Sequence, residues 1–173
     1  MQKVIIIGCP GSGKSTFGRK LSKALGLTLY HLDMLYWNKD GTTVNREFFD
    51  EQLLKVMKEP SWIIDGNYLR TMEMRLKECD TVFFLDYPAE VCLDGIQERK
   101  GQKRSDMPWV ENEKSYEELF SFVSDFDTKT RPEVLRLLEK YSYKNVVIFH
   151  TREESEEYEE EQLVTEKEFV NHL

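Results

Sequence analysis

The sequence predicts a three-layer α/β fold in which one five-stranded parallel sheet lies between layers of helices. Short apolar runs alternate along the chain with segments whose apolar residues recur at helical spacing, an order typical of parallel sheets covered on both faces. The first run also leads directly into a glycine-rich turn and a helical pattern. At 173 residues the chain has the usual size of one domain, and we expect a single domain over residues 1–173.

Five apolar runs are the candidate strands. The first, residues 3–7, is rich in β-branched residues and ends at Gly8, as a buried parallel strand does. The other runs occupy residues 27–32, 62–65, 81–86 and 145–149.

Helical spacing of apolar residues predicts the helices between these strands. The first carries Phe17, Leu21 and Leu25 and stops at Gly26, a residue typical of helix C-termini. Further helices are predicted at 46–59, from Pro88 onward, at 116–126 and at 132–141. Polar stretches without apolar periodicity predict a loop at 34–45 and a mobile insert at 101–114.

The net charge of −8, from 24 basic and 32 acidic residues, is concentrated at the C-terminal end. Residues 152–173 contain nine acids and two basic residues, which leaves the rest of the chain nearly neutral. Because duplex DNA binding depends largely on neutralising phosphates, direct nucleic-acid binding is not expected. Like charges this dense repel one another, so the glutamates of this acidic extension are expected to lie on a solvated helix or loop. Phe169 and Leu173 are expected to dock a last helical turn.

No run approaches the roughly 18 apolar residues that a membrane span needs, and the apolar run after Met1 is too short for a signal peptide. A cytoplasmic protein without membrane contact is therefore expected. The three cysteines, Cys9, Cys79 and Cys92, are widely spaced and show no zinc-binding pattern, so buried free thiols are expected.

Residues 8–15, with the sequence GCPGSGKS, fit the phosphate-loop pattern GxxxxGK(S/T) at every fixed position, between a predicted strand and a predicted helix. Glycines there allow left-handed backbone angles, so that successive N–H groups turn inward toward a di- or triphosphate. Lys14 is expected to act in catalysis by bridging the β- and γ-phosphates of ATP, and the Ser15 hydroxyl to ligate Mg²⁺. The predicted nucleotide-binding residues are Gly8, Gly11, Ser12, Gly13, Lys14, Ser15 and Thr16.

Acidic residues follow three of the predicted strands. Because the carboxyl ends of parallel strands face the ligand crevice, Asp33 is a candidate to position or deprotonate an acceptor hydroxyl, or to hold Mg²⁺ through water. Capping of the next segment is the alternative role for Asp33. Asp65, followed by Gly66, is the candidate carboxylate on the Mg²⁺ side. Asp86 immediately precedes a helix and is expected to cap it, and His31 is expected to hydrogen-bond locally.

Five basic side chains are candidates to stabilise charge on a transferred phosphoryl group: Arg70, Arg99, Lys103, Arg104 and Arg131. Three of them flank Gly101 in a polar segment, where their charges would repel one another without an anion between them. Residues 99–114 are therefore predicted to be a short lid that closes over nucleotide, with Arg99 and Arg104 as catalytic cations.

Several motifs of this chain occur together in one bacterial family. They are the phosphate loop, YHLDMLYW at residues 30–37, WIIDGNY at 62–68, DTVFFLD at 80–86 and RP at 131–132. Together they resemble the DNA topology modulation proteins, a family within the adenylate-kinase-like phosphate-loop NTPases. The resemblance runs to about residue 150 and implies a five-stranded parallel sheet and ATP binding. Asp65-Gly66 and Arg70-Thr71 are also similar to the Asp-Gly-Phe-Pro-Arg-Thr signature of adenylate kinases, with one additional residue before the arginine.

We therefore expect a Mg·ATP-dependent phosphotransferase that acts on a small hydroxyl- or phosphate-bearing acceptor, such as a nucleoside, a nucleotide or another metabolite. A regulatory ATPase that switches contacts with partners is the alternative, because kinases and switches share the phosphate loop. No Asn/Thr-Lys-x-Asp motif for guanine recognition occurs, which argues against a GTPase switch.

Overall fold

The computed structural model of the chain describes residues 1–170, and side chains as far as residue 161. Five parallel strands form one sheet in the order β2-β3-β1-β4-β5. The strands are β1 (Lys3–Gly8), β2 (Leu29–His31), β3 (Trp62–Asp65), β4 (Thr81–Leu85) and β5 (Asn145–Phe149). The predicted α/β fold is confirmed, and the carboxyl end of β1 lies between those of β3 and β4 at the middle of the sheet edge.

Eight α-helices connect and cover the strands within residues 1–170. They are α1 (Lys14–Leu25), α2 (Leu32–Tyr36), α3 (Arg46–Met57), α4 (Leu69–Glu78), α5 (Ala89–Arg99), α6 (Glu113–Asp125), α7 (Arg131–Lys140) and α8 (Arg152–Val170). A π-helical turn, Phe126–Thr130, joins α6 to α7.

The core lies on both faces of the sheet. Residues 4–7 of β1 are wholly buried, and β3 and β4 are buried along their whole length, as near-continuous apolar runs predict for central parallel strands. On one face, the Phe17 ring of α1 packs edge-on against Phe83 of β4, with ring centroids 5.1 Å apart. This contact holds α1, and with it the loop that precedes α1, against the sheet.

Two helices differ from the expectation. α2 occupies the start of the segment predicted to be a loop, and its five residues are too few for a helical period to show. α4 was not predicted at all. Its buried face consists of Thr71, Met72, Arg75 and Leu76, so an arginine and a threonine interrupt the apolar stripe by which a helix is recognised.

α8 docks on the body of the protein through one face. Tyr87 donates a hydrogen bond to Ser155 at 2.7 Å, and Tyr158 packs among aromatic rings of the sheet. The expectation that the glutamates are solvated is wrong for Glu159, which is 6% exposed and accepts a hydrogen bond from Lys20 at 2.7 Å. The lysine supplies the opposite charge that burial of a carboxylate requires, and burial raises the pKa of Glu159.

Cys9, Cys79 and Cys92 are buried free thiols, as predicted. Among the helices of residues 1–170, none combines the length and the apolar character that crossing a membrane requires. The expected docking of Phe169 and Leu173 falls outside the described side chains.

Candidate active site

The loop between β1 and α1 depends on two glycines. At Gly11 the backbone has φ +85°, and an added Cβ would lie 1.9 Å from the carbonyl oxygen of Cys92 in α5, so only glycine allows the loop to rest on that helix. Gly13, at φ 92°, precedes the first residue of α1. The Ser12 hydroxyl between them is buried and has no hydrogen-bond partner among the described residues. A buried polar atom without a partner is expected where a ligand completes the site.

Strand pairing brings three polar side chains together beside this loop. The Ser15 hydroxyl donates to Oδ2 of Asp65 at 2.8 Å, and Nδ1 of His31 lies 2.8 Å from the same oxygen. His31 of β2 stands opposite Asp65 of β3 in the parallel register. The hydrogen-bond partner of His31 therefore lies on the neighbouring strand rather than near it in the sequence. Lys14 extends along the loop and donates to the carbonyl oxygen of Cys9 at 3.0 Å.

Asp33 lies in the first turn of α2, just beyond the end of β2. The helix-capping alternative is wrong, because the N-cap of α2 is His31 and no side chain caps that helix. Instead, Asp33 accepts a hydrogen bond of 2.6 Å from the Tyr68 hydroxyl. Burial raises the pKa of Asp33, and the hydrogen bond from Tyr68 opposes that rise. The carboxylate is thus held in one orientation at the carboxyl edge of the sheet.

The segment after β3 is fixed by a buried arginine. Arg75 of α4 is wholly buried and donates to the carbonyl oxygens of Gly66 at 2.8 Å, of Asn67, and of Tyr68 at 3.2 Å. Burial lowers the pKa of Arg75 to about 10. Tyr68 has φ 35°, and is the non-glycine residue with positive φ among those described. Donation by one guanidinium to three consecutive carbonyl oxygens stabilises this unfavourable backbone and directs the Tyr68 ring toward Asp33.

The segment held by Arg75 also touches the phosphate loop. Oδ1 of Asn67 accepts a hydrogen bond from the backbone N–H of Gly8 at 3.0 Å, and Nδ2 of Asn67 donates to the carbonyl oxygen of Gly8 at 2.7 Å. One amide side chain therefore ties the end of β1 to the end of β3.

The predicted lid lies between α5 and α6 and carries its own anions. Arg104 donates to both carboxylate oxygens of Asp106, at 3.0 and 2.6 Å, and to Glu111 at 3.3 Å. Arg99, the last residue of α5, lies 3.6 Å from Glu111. Burial opposes ionisation of Asp106, but the hydrogen bonds from Arg104 hold the pKa of this carboxyl below its ordinary value. The cations of the lid therefore already have anionic partners within the protein, Asp106 and Glu111.

An aromatic contact joins the lid to the segment after α2. The rings of Trp37 and Trp109 have centroids 5.4 Å apart, and Trp109 also packs over Gly41. Phe49 and Tyr36 support Tyr68 from behind, with ring centroids 5.3 and 5.0 Å away. We call Trp37, Tyr68 and Trp109 the aromatic wall.

One cavity of about 1450 Å³ connects these features. It is lined by most of the predicted site residues: Gly11, Ser12, Gly13, Lys14, Ser15, Thr16, Asp33, Asp65, Arg99 and Arg104. The aromatic wall and Asp106 line the same cavity. Gly8 lies beneath it, at the end of β1.

Two of the other candidate cations are engaged elsewhere. Arg70 forms a two-pronged pair with Asp50, at 2.9 and 2.5 Å. Arg131 forms one with Asp86, at 2.7 and 2.8 Å. The expected capping role of Asp86 is therefore wrong, and the N-cap of α5 is Pro88, without a side-chain hydrogen bond. Asp86 follows β4 as predicted, but its charge is used to fix the start of α7.

Sequence reasoning missed Asn67, Tyr68, Asp106, Glu111 and Trp109. Asn67 and Tyr68 directly follow the strand that ends in Asp65, a position that could have marked them as site residues. The two lid acids were visible only as ordinary charges in a polar insert, because pairing with arginines two to twelve residues away has no periodic signature.

The strand order and the loop before α1 define the phosphate-loop class of α/β proteins. Residues 4–121 match the AAA domain family (AAA_18), and the chain belongs to that family.

The chain is similar to several small-molecule kinases. Over 42 residues the chain is 45% identical to the shikimate kinase of Mycobacterium tuberculosis, a match that covers 24% of this chain and 24% of that enzyme. It is similar in fold to the shikimate-bound shikimate kinase of Acinetobacter baumannii, with TM-score 0.57, 17% identity and coverage of 100% of this chain and 96% of that one. A gluconokinase from Sinorhizobium meliloti has TM-score 0.55 at 12% identity, covering 99% of this chain and 94% of that one.

Proposed function

We propose that this protein is a Mg·ATP-dependent phosphotransferase that acts on a small hydroxyl- or phosphate-bearing acceptor. The observation that carries the proposal is the position of Asp33, a half-buried carboxylate that shares one cavity with Lys14 and Ser15 of the phosphate loop. A nucleotide switch needs the loop but has no use for an oriented carboxylate on the acceptor side of the cavity. The proteins to which this fold is similar bear the names of small-molecule kinases.

The donor side of the site fits ATP. Lys14 supplies a positive charge for the β- and γ-phosphates, and the unpartnered Ser12 hydroxyl supplies a further hydrogen-bonding group. Ser15 and Asp65 would hold Mg²⁺, since a hydroxyl and one carboxylate, together with water and phosphate oxygens, form the ligand set that this ion prefers. When bound, Mg²⁺ would neutralise charge on the phosphates. His31 keeps the Asp65 carboxylate in the orientation that faces Ser15.

On the acceptor side, Asp33 would position the acceptor hydroxyl and take its proton. The hydroxyl oxygen would attack the γ-phosphorus, the bond from that phosphorus to the bridging oxygen would break, and ADP would leave. Tyr68 fixes the Asp33 carboxylate through one oxygen and leaves the other free for the acceptor. Holding the reacting groups in place is the main contribution that a protein makes to phosphoryl transfer.

The lid would supply the cation for the transferred group. Arg104 uses three of its five N–H groups on Asp106 and Glu111, so two remain for phosphoryl oxygens while the acids fix the plane of the guanidinium. The Nε atom of Arg99 is buried and lacks a partner among the described residues, as expected for a donor that a ligand satisfies.

We also propose that the chain is a member of the DNA topology modulation family, whose motifs it resembles. We do not propose that it binds DNA directly. The nearly neutral body and the acidic extension lack the basic surface that a polyanion requires.

A screen for acceptor-dependent ADP formation from Mg·ATP tests the proposed function. Nucleosides, nucleotides, sugars and cyclitols are offered one at a time, and the product is verified by the mass of the phosphorylated acceptor. We expect one compound class to stimulate ADP formation strongly and to acquire phosphate. Slow ADP formation that no compound stimulates would instead support a regulatory ATPase.

A further inference from the structure

We propose that the acceptor is an uncharged, hydroxyl-bearing molecule with a flat apolar face, rather than a carboxylate- or phosphate-bearing one. The inference rests on the proposed function and narrows the class of substrate. Two independent observations support it: the charges on the acceptor side are already paired within the protein, and an aromatic wall stands where the acceptor would lie.

The first observation concerns the arginines of the lid. Arg99 and Arg104 bring two positive charges, and Asp106 and Glu111 bring two negative ones at 2.6 to 3.6 Å. All four side chains are largely buried, with exposed fractions of 23% or less, so solvent screens these pairs weakly. The cluster as a whole carries no net charge. It can orient N–H groups toward the γ-phosphate but has no surplus charge for an anionic acceptor.

The remaining arginines near the acceptor side are paired as well. Arg70 forms two hydrogen bonds with the carboxylate of Asp50. Arg75 is buried, and its N–H groups donate hydrogen bonds to backbone carbonyl oxygens. Lys39 and Lys103 line the cavity, but both are exposed lysines, whose pairing with an anion is weak in water. Among the described arginines of the lid and of α4, each already faces a carboxylate or backbone carbonyl oxygens, so none brings an uncompensated positive charge for an anionic acceptor.

The fixed charge on the acceptor side is negative. Asp33 is half-buried, and the like charge of Asp65 already contributes to raising its pKa. A carboxylate or phosphate on the acceptor would meet this charge in a partly desolvated cavity, where repulsion is stronger than in bulk water. A neutral hydroxyl compound avoids that repulsion and can donate its hydroxyl hydrogen to Asp33.

The second observation is the aromatic wall. Trp37, Tyr68 and Trp109 line the cavity on the side of Asp33, and the Tyr68 ring is held in place by its stack on Phe49. Flat rings of this kind bind flat apolar faces.

Matched pairs of compounds that differ in charge test the inference. Adenosine is compared with AMP, and methyl shikimate with shikimate, while sorbitol and gluconate form a pair without a flat face. Binding in the presence of Mg·ADP is followed by the fluorescence of Trp37 and Trp109, against the background of Trp62, which is wholly buried in the sheet. Transfer is followed by ADP formation from Mg·ATP.

We expect the neutral member of the adenosine or the shikimate pair to bind roughly tenfold more tightly than its anion, the size of a like-charge interaction in a partly solvated site. Sorbitol and gluconate should bind weakly. Tighter binding of an anion, tighter binding of sorbitol than of both flat neutral compounds, or no binding of either flat neutral compound would overturn the inference. Binding of a neutral compound without phosphate transfer to any compound would instead overturn the proposed kinase activity alone.

A charge-altering variant supplies a second readout. Glu111→Gln keeps the shape of the side chain but leaves the lid cluster with a surplus positive charge. It should raise the affinity for AMP or shikimate by roughly tenfold and leave adenosine and methyl shikimate nearly unchanged. Glu113→Gln is the matched control, because Glu113 is exposed and pairs only with Lys100 among the described contacts. Equal affinities for the anions in Glu111→Gln and the wild type would contradict the charge argument.

Discussion

At the scale of single residues, the site depends on side chains that hold other side chains. Arg75 fixes the backbone of Tyr68, Tyr68 holds Asp33, and Asn67 ties the same segment to Gly8 of the phosphate loop. Donor and acceptor sides are thereby connected through one short stretch after β3. Small displacements of that stretch would affect both sides together, because reacting groups must be held closely for transfer to occur.

Lys14→Ala should reduce phosphoryl transfer by at least about 10²–10³-fold, the usual effect of removing one preorganised group that stabilises the transition state. The reason is that backbone N–H groups offset only part of the β- and γ-phosphate charge. Steady-state ADP formation measures the effect. Lys23→Ala, an exposed lysine in the last turn of the same helix, serves as the control and should behave like the wild type. Unchanged turnover in Lys14→Ala would rule out the phosphate-loop mechanism.

Tyr68→Phe should shift the acid limb of the profile of kcat/KM against pH toward higher pH. The Tyr68 hydroxyl stabilises the charged form of Asp33, so its loss raises the pKa of Asp33 further above the ordinary value. The active carboxylate form is then lost at a higher pH as the solution is acidified. A pH profile with the acceptor identified by screening measures this shift. A displacement toward lower pH would contradict the role assigned to Tyr68.

At the scale of elements, the lid is a short loop held by internal ion pairs. Its acids reduce the charge that it offers to nucleotide, while the geometry of the guanidinium groups is retained. The lid should therefore stabilise the transition state more than it strengthens the binding of ATP. The reason is that correctly oriented N–H groups stabilise the charge on the oxygens of the transferred phosphoryl group even where the net charge of the lid is small.

Arg104→Ala should lower transfer by up to about 10³–10⁵-fold, the range ascribed to arginine fingers, with a much smaller effect on the Kd of Mg·ATP. Arg104→Lys should restore only part of the loss, since an ammonium lacks the forked geometry. Lys100→Ala, at an exposed position of the lid that does not line the cavity, is the control. Hydrogen exchange across residues 99–112 should slow when nucleotide and acceptor are both bound. If Arg104→Ala transfers phosphate at the wild-type rate and neither ligand changes the hydrogen exchange of this segment, the segment is a surface loop and not a lid.

The strands were predictable from the sequence because each is a short, mainly apolar run, whereas α4 was not because Arg75 occupies its buried face. The same reasoning applies to the site. Lys14, Ser15 and Asp65 could be placed from local motifs, since the loop and strand ends define their positions. The partners Asp106 and Glu111 could not, because their positions depend on how a non-periodic segment folds back over the cavity. The catalytic roles themselves stay predictions.

At the scale of the whole molecule, charge is divided between a nearly neutral body and an acidic extension. Part of that extension is not a free tail, because α8 packs along α1 and buries Glu159 against Lys20. The glutamates that face outward still give this side of the protein a negative surface.

We expect no measurable binding to duplex DNA near physiological salt. Even the usual non-specific affinity of roughly 10⁻⁴–10⁻⁶ M requires several phosphate contacts, and the acidic extension adds repulsion. Fluorescence anisotropy of a labelled duplex, titrated at two salt concentrations with and without Mg·ATP, measures this. Tight retention that weakens steeply with added salt would contradict the expectation.

The strand order also determines when the phosphate loop can take shape during synthesis. β1 is made first, yet it stands at the centre of the sheet and pairs with β3 and β4, which are made much later. Gly11 in turn rests on Cys92 of α5, so the loop lacks its support until that helix has emerged from the ribosome. Until then the nascent chain exposes the apolar residues 4–7 of β1, a state that is prone to aggregation and lasts long, because parallel pairing joins distant segments. Nucleotide binding is therefore a property that the growing chain acquires late, after more than half of it has been translated.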